Sequence, residues 1–85
     1  MKFTVVWTKE AEKRLAELWL DSADREAVTN ASDRIDHLLS IDPLHAGEER
    51  VVNFRILFEP PLAVTFDINE QDLRVKVWSI WRPTQ

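Results

Sequence analysis

The sequence predicts an α+β domain of element order β-α-α-β-β-β, an antiparallel sheet with a helical hairpin packed on one face. Three observations lead there. Apolar residues recur at helical spacing through the first half of the chain, in two stretches with a very short link. From residue 51 the spacing becomes strict alternation, broken at Pro60-Pro61 and again at Asn69-Glu70-Gln71-Asp72. Two helices can cover one face of such a sheet but not both.

Residues 3–7 (Phe3, Thr4, Val5, Val6, Trp7) are β-branched or aromatic and suit a short strand, with Phe3, Val5 and Trp7 on one face. Thr8 is a natural N-cap for a first helix over residues 9–20, with Glu10 and Glu12 in the turn where the helix dipole favours anions. Ala11, Leu15, Leu18 and Trp19 form its apolar stripe. Asp21-Ser22 supplies a second N-cap. Val28, Ala31, Ile35, Leu38 and Leu39 mark a second helix over residues 23–40. Asp42-Pro43 ends it, because a residue before proline disfavours the α region.

Residues 44–49 contain the only glycine, Gly47, and suit a loop. In the first strand of the meander, Val52, Phe54, Ile56 and Phe58 are expected to face the core, with Val51, Asn53, Arg55 and Leu57 opposite. Leu62, Val64, Phe66 and Ile68 continue the core face in the next strand, with Ala63, Thr65 and Asp67 opposite. Leu73, Val75, Val77 and Ser79 close it, leaving Arg74, Lys76, Trp78 and Ile80 outside, followed by Trp81 and Arg82.

Composition bounds the function. The 85 residues make one domain, 1–85, with no cysteine to staple it or to bind zinc through thiolates. The start of the chain lacks a signal-peptide layout and no apolar run is long enough to span a bilayer, so a cytoplasmic location without membrane attachment is expected. Net charge is −4, which argues against a free-standing nucleic-acid binder of high affinity. The acid is concentrated in residues 1–49, which hold 11 anions against 6 cations; the sheet half is near neutral. One glycine cannot build a phosphate loop, and His37 and His45 have no acidic ligand pattern for a metal, so neither cofactor nor metal is expected. His37 suits a helix surface. His45 is a loop residue that could move a proton, though solvation is its commoner fate.

The open sheet face is the better place for function. Arg50, Arg55, Arg74, Lys76 and Arg82 surround it, and guanidinium groups on a rigid sheet bind phosphates or carboxylates bidentately. The plainer alternative is a solvated face in which Arg74 or Lys76 pairs with Asp67. Trp78 and Ile80 tilt the balance, because apolar area on a polar face usually marks a binding surface.

The pattern resembles the RelE/ParE superfamily of bacterial toxins, in its plasmid-stabilisation-like branch. The resemblance rests on Val5-Val6-Trp7-Thr8-Lys9-Glu10-Ala11, Leu15, Leu18-Trp19, Asp42-Pro43 and Gly47-Glu48-Glu49-Arg50. It continues through the stretch from Arg55 to Phe66 and through Val75-Lys76-Val77-Trp78, so it spans nearly the whole chain. It implies the toxin half of a type II toxin–antitoxin pair, neutralised by a cognate antitoxin protein. Growth would be inhibited by ribosome-dependent mRNA cleavage or by blocking DNA gyrase. By position, Arg50, Arg55 and Arg82 are the catalytic candidates, and Arg55, Arg74, Lys76, Trp78, Ile80 and Trp81 the partner- or target-binding ones.

The chain departs from the nuclease pattern. It is acidic, it lacks tyrosine, and Trp81 stands where a C-terminal Tyr or His is expected. An indole nitrogen donates only and cannot act as a base. The competing reading is a non-catalytic protein-binding module on the same fold, a decayed toxin or a stable complex subunit, with a homodimer also open. A small RNA-binding protein of the RNA-recognition-motif type is disfavoured, since its β-α-β-β-α-β order differs.

Overall fold

The computed structural model describes residues 2–51 and 54–83. Five strands and two helices follow in the order β1 (Thr4–Trp7), α1 (Lys9–Asp21), α2 (Arg25–Ile41), β2 (Glu48–Val51), β3 (Phe54–Glu59), β4 (Leu62–Asn69) and β5 (Arg74–Trp81). The sheet order is β1-β5-β4-β3-β2. Strands β3, β4 and β5 form the expected antiparallel meander, β2 adds an antiparallel edge, and β1 pairs parallel to β5, so the sheet is mixed. No described helix is long and apolar enough to cross a membrane.

The helices form where their caps dictate. Thr8 accepts the Ala11 amide at 3.1 Å and opens α1. The second cap is Asp24, not the expected Asp21-Ser22: its carboxylate accepts the Ala27 amide at 3.0 Å. Ser22 instead closes α1, and its buried hydroxyl accepts the Asp24 amide at 3.1 Å, shaping the tight link. Trp19 ties the hairpin together through an indole bond to Thr29 Oγ1 at 3.1 Å. Asp42 ends α2, and a 3-10 turn at Pro43–His45 leads to the sheet.

Both helices bury their stripes on one face of the sheet. Ala11 and Leu18 of α1, with Val28, Ala31, Ile35 and Leu39 of α2, pack on Leu62, Val64 and Phe66 of β4 and on Val75, Val77 and Ile80 of β5. Phe3, Val5 and Trp7 border this core as their alternation predicts. Burial of these apolar side chains is the main favourable term in the fold.

Two parity expectations fail. The stretch expected as a loop and one strand is a hairpin: β2 occupies Glu48–Val51 and β3 begins at Phe54, while Val52 and Asn53 lie outside the described residues. In β3 the core side belongs to Leu57, flanked by Arg55 and Glu59, because Arg55, Leu57 and Glu59 pair with the core residues Phe66, Val64 and Leu62. Phe54, Ile56 and Phe58 therefore face away from the helices. In β5 the register shifts between Thr65 and Phe66, which pair with Ser79 and Val77 and leave Trp78 as the extra residue of a β-bulge. A bulge inserts one residue and reverses the alternation beyond it. Ile80 thus turns into the core at 3% exposure, opposite Val64, and Ser79 faces outward.

Candidate functional site

The uncovered sheet face is built from rows of cross-strand neighbours. One row is Phe58, Ala63 and Trp81; the next is Ile56, Thr65 and Ser79, the two hydroxyls hydrogen-bonded to each other. Asp67 and Lys76 make the third, with Val6 of β1 beyond Lys76. Trp78, the extra residue of the bulge, lies on this same face, and the bulge turns Ser79 and Trp81 outward beyond it. Ala63 is fully buried although it points outward, because Phe58 and Trp81 flank it.

The result is an apolar surface on a side that has no second layer. Phe54, Phe58 and Trp78 are 36%, 53% and 41% exposed. The rings of Phe54 and Trp78 meet at a centroid distance of 6.1 Å, tilted by 55°. Such aromatic pairs add about 0.5–1.5 kcal/mol beyond their burial. Exposed patches of this kind mark interaction surfaces in soluble proteins.

Asp67 and Lys76 on this face both engage the Trp78 indole. Trp78 Nε1 donates to Asp67 Oδ2 at 2.6 Å, and Lys76 Nζ sits 4.7 Å from the centroid of the Trp78 ring. The Lys76–Asp67 neighbours expected from the alternation are thus joined through the indole. Arg74 is exposed at the β4–β5 end, paired in register with Asn69.

The three arginines singled out as catalytic do not converge. Arg55 lies on the helix side of the sheet, not the open side. Its Nε donates to the Ala46 carbonyl at 3.2 Å and its Nη2 to the Gly47 carbonyl at 3.3 Å, which ties β3 to the loop before β2. Arg50 sits at the irregularity of the β2 edge and pairs with Glu48 at 3.1 Å. Arg82 follows β5 beside Leu62, at the other end of β3. Six residues of strand span about 17 Å, more than one phosphate group can bridge. Trp81 joins the open face through the bulge, and Ile80 leaves it.

The histidines stand apart from this surface. His45 Nδ1 is 2.7 Å from Asp42 Oδ1 in the 3-10 turn, and His37 is exposed on α2. Among the described residues no group of three or more His, Asp or Glu side chains is placed to hold a metal. The open-face residues that the alternation missed are Phe54, Ile56 and Phe58. Both parities of residues 54–59 contain apolar groups, and the more apolar set is the one turned outward. The signal that would have found them is the pairing of Leu57 with Val64, which sets the register.

No protein-family model and no curated protein sequence matches the chain. Solved structures do. The RelBE2 toxin–antitoxin complex of Mycobacterium tuberculosis is similar at a TM-score of 0.81 and 16% identity, over 100% of this chain and 95% of that one. The chromosomal ParDE toxin–antitoxin system of P. aeruginosa is similar at 0.76 and 18% identity, over 98% of each chain. The isolated RelE toxin of E. coli is similar at 0.70 and 14% identity, over 98% and 86%. The chain has the RelE/ParE toxin fold.

Proposed function

We propose that this RelE/ParE-fold chain is the toxin half of a toxin–antitoxin pair, neutralised by a cognate antitoxin, and that it acts by occupying a protein target rather than by cutting RNA. The toxin role is supported by near-complete overlap with chains solved as toxins, two of them within toxin–antitoxin systems. The protein target is supported by one observation above all: the open face presents Phe54, Ile56, Phe58, Trp78 and Trp81, not convergent cations.

Aromatic groups in a rigid setting are common interface anchors. RNA cleavage needs a base for the ribose hydroxyl and cations for the phosphate. Arg55 is engaged on the other side of the sheet, Arg50 is paired, and the Asp67 carboxylate is held by the indole. The net charge of −4 also opposes docking into a phosphate-rich site. A gyrase-type target suits this surface better than the ribosomal A site.

The test is controlled expression in bacteria, with supercoiling and protein synthesis followed after induction. Growth arrest with early loss of supercoiling, relieved by a neighbouring small reading frame, supports the proposal. Arrest with site-specific mRNA cleavage overturns the protein-target half. Normal growth with soluble, folded protein overturns the toxin role. It then favours the second reading, a stable binding subunit that uses the same aromatic face.

A further inference from the structure

A cleft lies where the open face meets the β3–β4 turn. It has a volume of about 480 Å³ and is lined by Phe58, Pro60, Pro61, Leu62, Arg82 and Pro83. Its size is within the range of ordinary ligand pockets, about 300–1,000 Å³. The walls are apolar, and among the described residues the lining carries one charge, the Arg82 guanidinium.

Three features make this cleft a built one. Its prolines restrict the backbone, so little conformational freedom is lost when a ligand enters. The turn is anchored from behind by α2: Arg34 Nη2 donates to the Pro60 carbonyl at 3.2 Å, and its Nε to Glu59 Oε1 at 2.6 Å. That second contact also neutralises the carboxylate nearest the cleft in sequence. Arg82 is exposed and makes no ion pair among the described residues. An apolar slot with an exposed guanidinium at its lip is complementary to an apolar group that carries a carboxylate. Phe58 belongs both to the cleft and to the aromatic face, so a ligand seated here extends onto that face.

The geometry points to a peptide-binding cleft that takes a bulky apolar side chain against Phe58 and the prolines and pairs a neighbouring carboxylate with Arg82. The occupant is an acidic, apolar segment of a partner protein. A nucleic-acid strand fits less well, since one cation and proline walls offer its successive phosphates nothing to bind. This goes beyond the toxin reading and stands on binding chemistry alone, so growth arrest and peptide binding can fail separately.

The experiment is a titration of the purified chain with a fluorescein-labelled hexapeptide that alternates leucine and glutamate, and with the same peptide carrying glutamine. The glutamate peptide is expected to bind about tenfold more tightly, the difference a charge-assisted hydrogen bond makes. Arg82→Gln should erase that difference, with circular dichroism unchanged because Arg82 lies beyond the last strand. Arg82→Glu should reverse it, preferring a leucine–lysine peptide. Equal binding of the two peptides, indifference to Arg82→Gln, no binding of the glutamate peptide at millimolar concentration, or tighter binding of a labelled oligouridylate would each overturn the inference.

Discussion

The Trp78 indole donates a 2.6 Å hydrogen bond to the Asp67 carboxylate on the neighbouring strand, while Lys76 lies over the same ring. This contact holds a large aromatic group upright on a solvent-facing sheet. It also keeps the Asp67 carboxylate on that face, which disfavours phosphates there. Trp78 is the extra residue of the β5 bulge.

Trp78→Ala should therefore remove function and spare the fold. The side chain is 41% exposed but contacts Phe54, Asp67 and Lys76, so its loss should cost about 1–3 kcal/mol of stability without abolishing the fold. As an interface anchor it should cost about 2 kcal/mol or more of partner affinity. Growth arrest, or binding to the captured partner, is to be compared with the urea midpoint of the same variant. Unfolding without any change in binding per folded molecule would make Trp78 a structural residue and remove the open face as the site.

Arg55→Ala should behave in the opposite way. The guanidinium spans two backbone carbonyls, Ala46 and Gly47, on the helix side. Hydrogen bonds from charged groups contribute about 1.5–3 kcal/mol each when desolvated, and Arg55 is half-buried, so a net loss of about 1–2 kcal/mol is expected. Activity at matched levels of folded protein should be retained. A variant with unchanged stability and no activity would return Arg55 to the functional site.

Gly47 should tolerate no side chain. Its φ of +68° is in the left-handed region, and an added Cβ would run into the Ile56 carbonyl. Gly47→Ala should cost at least about 2 kcal/mol, from backbone strain together with the collision. Gly47→Asn separates the two causes. Asparagine accepts the left-handed region more readily than alanine, but its Cβ meets the same carbonyl. Stability restored by asparagine, measured by chemical unfolding, would show that the collision is absent.

Much of this architecture was legible because local chemistry and long-range packing agree. Thr8 caps where it must, the stripes of α1 and α2 are unbroken, and Pro60-Pro61 can only separate strands. The open face was legible as a place, and Lys76 and Trp78 within it; Trp81 reaches it only because the bulge reverses the alternation. What alternation could not decide was phase. Residues 54–59 have apolar groups at both parities, and the choice rests on which residue of β4 lies opposite, information carried by the partner strand. Arg55 was misplaced for that reason, and Ile80 because nothing local announces a bulge at Trp78.

The bulge itself can be tested through the two residues beyond it. Unbroken alternation would bury Ser79 and expose Ile80; the observed register does the reverse, pairing Ile80 with Val64 in the core and Ser79 with Thr65 outside. Ile80→Ala should therefore open a cavity and cost about 2–5 kcal/mol, the usual range for an isoleucine truncated in a packed core. Ser79→Ala removes only a hydroxyl contact to Thr65 on the open face and should stay within about 1 kcal/mol. The two urea midpoints decide the register without any partner or activity. If Ser79→Ala were the costly change, β5 would run without its bulge, and Ser79 and Trp81 would turn towards the helices while Trp78 kept its place on the open face.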